Sequence, residues 1–331
     1  MIFPFNVYLL ALAGAFFASL LALPFWRAAC RRTGLVDDPG HRKIHATPIP
    51  LAGGFSVLTG MVIPLLLGAA MVHWNFPNLK PSHGLLEHGL ERRGWELGAI
   101  VLGAFGIVIT GWLDDKYELS PLVKFTGQFL VAVLVAAANV RITLFVPSVI
   151  FSYAITILWI LTVINAFNFM DNMNGLCTGL GAIGAWFFAA IAAMDGQYLV
   201  ALLGLLTCGA LLGFLPYNFP KASAFLGDTG SHLIGYLLAV MAILPHFSTA
   251  QHPRPWSVLI PLLILAIPLG DLVWVVILRW RLGQPFYQGD NNHLSHRLVK
   301  SGLSKRSAVL FVWLLATLLG GLALGLLLAA G

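Results

Sequence analysis

Two adjacent carboxylates, Asp114 and Asp115, stand at the end of an apolar segment of the chain. A charge inside a bilayer costs at least about 2.5 to 3.5 kcal/mol, so a carboxylate pair at a membrane edge indicates a functional site. The two side chains repel each other unless a cation joins them. Mg²⁺ suits such a pair, because it binds through one or two carboxylates and completes its shell with water and substrate phosphates. A solvated acidic turn is the alternative interpretation.

A second polar group, Asn165, Asn168, Asp171, Asn172 and Asn174, closes another apolar segment. Spacings of three and four residues predict that the first four members share one helix face with Gly175, provided that the helix continues that far. Amides and an acid are costly to leave unpaired near lipid, which favours a binding site. Hydrogen bonding between helices is the alternative.

The glycine-rich stretch 225–231 precedes a further apolar segment and contains Asp228, Thr229 and Ser231. Its glycines allow the backbone to approach a ligand closely. A helix start can also bind an anion, so Asp228 is predicted to hold a metal rather than to meet phosphate directly. Capping of the following helix by one of the three side chains is the alternative.

The stretch 290–300 carries His293, His296, Arg297 and Lys300, which would line one face of a helix. Such a stripe could bind a diphosphate or sugar hydroxyls. Zinc is less favoured, since two histidines lack the third and fourth ligands that a zinc site requires. A basic stripe lying on anionic lipid headgroups is the alternative.

The elements that must position these groups are membrane helices. The chain is 59% hydrophobic and 10% charged, and its mean hydropathy is +0.86. Its apolar runs are long enough to cross about 30 Å of hydrocarbon, and they lack the alternation of a β-barrel. We therefore predict an all-α, polytopic integral membrane protein with a single transmembrane domain over 1–331. About ten spans are predicted, with eleven as the alternative: 5–26, 51–72, 95–113, 123–139, 148–167, 177–194, 198–215, 231–245, 256–278 and 307–330.

The basic residues favour one side of the membrane. The loops at about 27–50, 114–122, 168–176, 216–230 and 279–306 hold 14 of the 19 Lys and Arg residues, counting Lys124 at a helix start. By the positive-inside rule these loops are cytoplasmic, and ten spans would place both termini on the outer, periplasmic side. The positive-inside bias also explains the net charge of +6 without nucleic acid.

Most of the acidic residues lie in the same loops. A transporter would instead carry ionisable groups near the bilayer midplane, so the distribution favours a site open to the cytoplasm and to lipid. A lipid or ion carrier remains the alternative from a different functional class.

Taken in order, five stretches resemble the polyprenyl-phosphate N-acetylhexosamine-1-phosphate transferase family, glycosyltransferase family 4, and most nearly its bacterial N-acetylglucosamine branch. The stretches are Lys43-x-His45-x-x-Pro48-x-Pro50 with Gly53-Gly54, Asp114-Asp115 with Lys124 and Gln128, Asn165-Ala-Phe-Asn168-x-x-Asp171, Phe225-Leu-Gly-Asp228-x-Gly-Ser231, and His293-x-x-His296-Arg297-Leu. The resemblance as a whole covers about residues 34 to 310.

The resemblance implies a phosphoglycosyltransferase in the inner membrane of a bacterium, with a cytoplasmic active site. It would transfer a sugar 1-phosphate from a UDP-N-acetylhexosamine to undecaprenyl phosphate and release UMP, as the first membrane step of cell-envelope glycan synthesis. It implies a requirement for Mg²⁺, with Mn²⁺ as the alternative, and leaves a homodimer open.

The resemblance also implies roles for individual residues. Asp228 would bind the metal, Asp114 and Asp115 would serve the lipid phosphate and the metal, and Asp171 would join them as a catalytic and metal-binding residue. Asn218 and Phe225 fall where the family holds uridine. The diphosphate and sugar would meet Lys43, Lys124 and the two histidines predicted to be catalytic, His293 and His296. The remaining predicted substrate contacts are His45, Asn168, Asn172, Asn174 and Arg297.

Four positions depart from the family pattern. Asn174 stands where a second acid is frequent, and Asn172 replaces a usual glycine. Ser295 takes the place of a middle histidine, and Leu51 replaces an arginine. The muramoyl-pentapeptide branch usually carries three consecutive histidines, which His293-Leu-Ser-His296 does not match. UDP-N-acetylglucosamine or a similarly simple sugar is therefore favoured, with the muramoyl-pentapeptide reaction as the alternative.

The resemblance leaves three roles open for Asp114, namely base, metal ligand and nucleophile. A phosphate monoester has a second pKa near 6, so roughly nine-tenths of the acceptor is already dianionic at pH 7. A base would therefore gain little. We expect direct attack by the lipid phosphate on the sugar-side phosphorus, with a covalent intermediate on Asp114 or Asp115 as the rival.

Overall fold

The computed structural model describes residues 4–38, 47–74, 80–143, 146–245, 255–285 and 292–329, without the side chains at 72, 80–92 and 255. Helices dominate these residues. The helices are α1 (Phe5–Thr33), α2 (Gly53–His73), α3 (Lys80–Tyr117), α4 (Pro121–Ala137), α5 (Val149–Met170), α6 (Leu176–Met194), α7 (Tyr198–Asn218), α8 (Gly227–Ile243), α9 (Leu259–Ile264), α10 (Ala266–Arg281), α11 (Leu294–Lys300) and α12 (Lys305–Ala329), with a 3₁₀ turn at Pro255–Val258.

Seven of the described helices are long and apolar enough to cross a membrane: α1, α2, α3 from Arg93 onward, α5, α6, α7 and α12. The segments Trp256–Ile264 and Ala266–Arg281 meet at an angle of 80° and would make an eighth span if they count as one. These helices confirm a multi-pass membrane protein. Helices α4 and α8 lie where spans were predicted, but each has 17 residues. At 1.5 Å per residue they reach only about 26 Å, so the count of ten stays a prediction.

Three local expectations differ from the structure. The chain between the predicted spans 51–72 and 95–113 is helical from Lys80 and joins the following span across a kink at Arg93, where φ is −119°. Helix α5 ends at Met170, so the helix face predicted to extend through Asp171 and Asn172 stops short of both. A small antiparallel ladder of β1 (Val36–Asp37) and β2 (Ile49–Pro50) is an exception to the all-α prediction.

The short ladder helps to place the stretch that precedes α8. The amide of Phe225 donates to Pro50 O at 3.0 Å, and the amide of Gly53 donates to Phe225 O at 2.9 Å. The loop before α8 is thereby tied by main-chain hydrogen bonds to the entrance of α2. Backbone groups in such loops need partners, and here they find them in each other.

Helix α8 lies at the centre of the fold and is buried along almost its whole length, from Gly227 and Thr229 to Ala242. It packs against α2, α3, α5 and α6. Close approach depends on glycine: a Cβ at Gly54 would lie 2.5 Å from the amide nitrogen of Gly230, and one at Gly111 would lie 2.6 Å from Thr229 Cα. Small residues let helix backbones approach closely in membranes, and here they bring α2 and α3 against the start of α8.

We expect Gly111→Ala to displace the start of α8, because the added methyl group would meet main-chain atoms of Asp228 and Thr229 that cannot rotate away. Overpacking of this kind costs about 1 to 3 kcal/mol. Thermal unfolding of purified protein in detergent should show a lowered midpoint. Gly98→Ala is the matched control on the same helix, since no described atom lies within 4 Å of the place that its new methyl group would take. Equal midpoints for the two variants would contradict the close contact.

Candidate active site

Asp115 holds the amino terminus of α8. Its Oδ1 accepts the amide of Asp228 at 2.8 Å, and its Oδ2 accepts the amide of Thr229 at 3.0 Å and the hydroxyl of Thr229 at 2.6 Å. The first amides of a helix lack partners within it, and a carboxylate there is favoured by the helix dipole. The alternative interpretation, a cap from Asp228, Thr229 or Ser231, does not apply, since no side chain of α8's own start caps the helix. The cap comes from α3.

A lysine bridges the two other key carboxylates. Lys124 Nζ lies 2.7 Å from Asp114 Oδ2 and 2.7 Å from Asp228 Oδ2. The second oxygen of Asp114 accepts the amide of Leu119 at 3.0 Å. The structure thus brings together Asp114, Lys124 and Asp228 from α3, α4 and α8, as the sequence predicted. The ammonium group compensates two carboxylates that would otherwise repel each other.

Asn168, in the last turn of α5, orients Asp228 from the other side. Its amide donates to Asp228 Oδ1 and, at 3.1 Å, to the hydroxyl of Ser231. Asn165 is used differently, since its amide donates to Gln128 Oε1 at 2.9 Å. The alternative of hydrogen bonding between helices therefore accounts for Asn165, whereas Asn168 belongs to the site.

Asp171 follows α5 as its C-terminal cap residue and adds a further carboxyl group to the site. Burial, and next the nearby carboxylates of Asp228 and Asp115, raises the pKa of Asp171 to about 8. Within the described part of the chain, no group of three or more His, Cys, Asp and Glu side chains is arranged to hold a metal ion. The hard oxygen donors nevertheless fit Mg²⁺, which is usually bound by one or two carboxylates together with substrate phosphates.

A cavity of about 680 Å³ is lined by residues 172–174, which follow Asp171, and by residues from 27–50 and 219–309. It has many cationic side chains, and its described lining includes no carboxylate. The basic members are Arg27 and Arg31 of α1, Lys221, His296 of α11, and Lys305 and Arg306 of α12. Such a cavity suits a ligand with several negative charges.

Sequence analysis missed the five Lys and Arg residues of this cavity as site residues. They entered only the count of basic residues in the predicted cytoplasmic loops. A cation that orients a membrane helix and a cation that binds a ligand look alike in a single sequence. Only their convergence in space separates the two functions.

Several predicted contacts do line the cavity. His296, Asn172, Asn174 and Phe225 all contribute to its wall. Burial, and then the neighbouring His293 and lysines, lowers the pKa of His296, which favours a neutral imidazole at pH 7. Lys43 and His45, predicted for the diphosphate and sugar, lie outside the described residues.

Asn218 and Arg297 have other partners than predicted. Asn218 is 2% exposed, accepts bonds from the amide of Gly175 at 2.9 Å and the hydroxyl of Thr178 at 3.0 Å, and donates to Ala224 O at 3.1 Å. It therefore supports the wall from within rather than facing a ligand. Arg297 is exposed and lies over the ring of Trp274 at 4.5 Å. Of the predicted stripe of His293, His296, Arg297 and Lys300, Arg297 thus contacts α10, as His293 does through Asp271, whereas His296 lines the cavity.

Two of the unusual residues contact each other. The hydroxyl of Ser295 donates to Asn172 Oδ1 at 2.6 Å, across 123 positions of sequence. This bond fastens α11 to the turn after α5. The two residues that depart from the family pattern at these places form one hydrogen-bonded pair.

Comparison with known proteins places the same segments in one family. The model of glycosyl transferase family 4 matches residues 97–246, which run from α3 to just past α8. The chain is 34% identical to the probable undecaprenyl-phosphate N-acetylglucosaminyl 1-phosphate transferase of Bacillus subtilis, over 91% of this chain and 81% of the relative. It is 32% identical to the decaprenyl-phosphate N-acetylglucosaminephosphotransferase of Mycobacterium tuberculosis, over 87% and 74%. It is 28% identical to the undecaprenyl-phosphate alpha-N-acetylglucosaminyl 1-phosphate transferase of Escherichia coli K12, over 94% and 82%.

We expect Asp115→Asn to destabilise the fold, because an amide group cannot accept at both of its ends and would face a backbone N–H with a donor. A buried donor left without a partner costs about 1 to 3 kcal/mol. Thermal unfolding without added metal should therefore show a lower midpoint than that of the parent protein. Asp38→Asn, at an exposed carboxylate, is the control. An unchanged midpoint for Asp115→Asn would exclude the capping role.

Proposed function

Because the chain belongs to glycosyl transferase family 4, we propose that it transfers N-acetylglucosamine 1-phosphate from UDP-N-acetylglucosamine to undecaprenyl phosphate, with release of UMP. The observation that carries the proposal is the cluster of Asp114, Lys124 and Asp228, together with the cation-lined cavity. The names of the three relatives favour this sugar over the muramoyl-pentapeptide alternative.

The cavity is the proposed site of the nucleotide sugar. Its volume of about 680 Å³ falls within the range of about 300 to 1,000 Å³ that is usual for small-molecule sites. Its cations would neutralise the diphosphate, and the half-buried ring of Phe225 offers an apolar face for the base. Asn172 and Asn174 supply neutral hydrogen-bonding groups on the same wall. Lys43 and His45 stay predicted contacts of the diphosphate and sugar.

A magnesium ion, or manganese in its place, is proposed to be held by one or two of the carboxylates Asp228, Asp114 and Asp171, together with substrate oxygens. When bound, such an ion neutralises phosphate charge and polarises the phosphoryl oxygens. Asp115 was also predicted as a ligand. The three hydrogen bonds that its oxygens accept at the start of α8 support a positioning role for it instead.

The proposed reaction is a single displacement. An oxygen of the lipid phosphate attacks the sugar-side phosphorus, the new P–O bond forms, and the bond to the UMP oxygen breaks. Phosphoryl transfer depends mainly on positioning and charge neutralisation, which Lys124 can provide between the two phosphates. Asp114 is a poor candidate for base or nucleophile, because one oxygen pairs with Lys124 and the other accepts the amide of Leu119.

The site is proposed to face the cytoplasm from a bacterial inner membrane, within one catalytic domain that spans ten times and has both termini outside. Residues from four predicted cytoplasmic loops or their edges meet: Lys124 pairs with Asp228, and Ser295 bonds to Asn172. The collection of polar partners at one end supports an enzyme over a carrier, since carriage needs groups accessible from both faces. A homodimer remains part of the proposal without structural support.

The proposal is tested by mass analysis of lipid products. Purified protein, Mg²⁺ and undecaprenyl phosphate are incubated with a panel of UDP-sugars that includes UDP-N-acetylglucosamine and UDP-N-acetylmuramoyl-pentapeptide. We expect one new lipid whose mass exceeds that of the acceptor by N-acetylglucosamine 1-phosphate, in amounts equal to the UMP released. Lys124→Met should abolish the product, because it leaves two carboxylates without their cation. Absence of transfer from every sugar by the parent protein would refute the assignment.

The role of the cavity in binding the UDP-sugar can be tested separately by substituting two neighbouring arginines of α1, one at a time. Arg31 lines the cavity, whereas the adjacent and equally exposed Arg32 does not. We expect Arg31→Gln to raise the KM for the UDP-sugar by about 3- to 30-fold, as expected for loss of a partly exposed charged contact. Arg32→Gln should leave that KM within about twofold, and the KM for the lipid is measured alongside. Equal effects of the two substitutions would place the donor elsewhere.

A further inference from the structure

Asp271 is a buried carboxylate of α10, a helix that carries neither Asp114 nor Asp228. Its residue is 5% exposed, and both of its oxygens are bonded. Oδ2 lies 2.7 Å from His293 Nδ1, and Oδ1 accepts the amide of Leu294 at 2.6 Å. One carboxylate therefore caps the start of α11 and holds the imidazole of the residue just before it.

The bond to Asp271 determines which nitrogen of the neutral His293 ring carries the proton. An ionised carboxylate only accepts hydrogen bonds, so the proton must sit on His293 Nδ1. Nε2 of the neutral ring then carries the lone pair, and it can donate only after the ring takes up a second proton. The carboxylate thus determines that Nε2, and not Nδ1, is the ring nitrogen available to a ligand.

The orientation of the ring is restricted as well. His293 packs edge to face against Phe169, with centroids 5.5 Å apart and planes at 74°. The guanidinium of Arg279 lies over the ring of Phe169, 4.9 Å from its centroid. Arg279 is 1% exposed. The last turn of α5 and helix α10 therefore enclose His293 together.

Helix α11 has a second anchor one residue further on, where Ser295 bonds to Asn172 at 2.6 Å. His296 follows and lines the cavity, with its ring centroid 6.4 Å from that of His293. The hydrogen bonds to the first turn of α11 thus determine the positions of His293 and His296 relative to the cavity. A residue that alters this hold acts on the site without touching the ligand.

We infer that Asp271 is a positioning residue of the transferase site. It fixes the Nδ1-protonated form and the ring plane of His293, and it fixes the start of α11 that carries His296. Burial of a carboxylate is unfavourable unless hydrogen bonds compensate it, and both of the bonds that do so here lead to α11. This inference rests on the proposed function for its catalytic consequence, but the geometry of the pair is independent of it.

The first test is a kinetic double-mutant cycle with Asp271→Asn and His293→Ala. The Asn amide can still accept from Leu294, but its NH₂ group then faces His293 Nδ1 and moves the ring proton to Nε2. We expect kcat to fall by about 10- to 1,000-fold with a smaller change in KM. In the His293→Ala background, Asp271→Asn should change kcat by less than about threefold. Losses that multiply would show that Asp271 does not act through His293 and would overturn the inference.

The second test needs no activity. Nitrogen-15 NMR of protein labelled at histidine, with His293 assigned from the His293→Ala difference, should show a protonated Nδ1 in the parent protein at about pH 8.5. A bare Nδ1 there overturns the inference even if Asp271→Asn does not fold. Ser152→Ala, which removes a partly buried hydrogen bond to Ile142 O near the other end of α5, is the control and should leave kcat and the spectrum unchanged. A parent protein that shows protonated Nδ1 but transfers no sugar would refute the proposed function alone.

Discussion

The site depends on one interaction above all, the hold of Asp115 on the first turn of α8. Asp115 contacts two residues, Asp228 and Thr229, which follow it in the sequence by 113 and 114 positions. The contact determines the position of Asp228. It works because Gly111, one turn earlier on α3, lets the two backbones come close. Lys124 and Asn168 then approach Asp228 from two different helices. Burial of α8 on nearly all sides gives these contacts a rigid base.

The charges divide into two neighbouring regions of opposite sign. One region holds Asp114, Asp171 and Asp228, with Lys124 as its internal counter-charge. The other is the cavity, whose described lining has five Lys and Arg side chains. A reaction between two phosphates requires both kinds of region: carboxylates to hold a cation, and cations to compensate the diphosphate. This division is consistent with the assigned family. It also explains why neither region, among the described residues, contains a complete set of metal ligands from the protein.

Residues that looked unusual one at a time form pairs in the fold. Asn172 and Ser295 each depart from the family pattern, yet they share a hydrogen bond that ties α11 to the turn after α5. Asp271 ties the same helix to α10. Two anchors on a helix of seven residues define its place far better than its own hydrogen bonds could. The histidines that α11 carries are positioned by these neighbours.

The amino-acid sequence by itself determined the class of the protein, the approximate positions of its helices and the main members of the acidic cluster. These follow from local physics, since the length of an apolar run and the cost of a charge near lipid can be assessed without knowing any partner. The tertiary structure alone decided that Asp115 caps α8, that Asn218 supports a wall and that Arg297 turns to Trp274. It alone brought the cations of α1 and α12 to one cavity. Each of these depends on a partner far away in sequence, and the direction of a side chain in space is not encoded by its spacing along the chain.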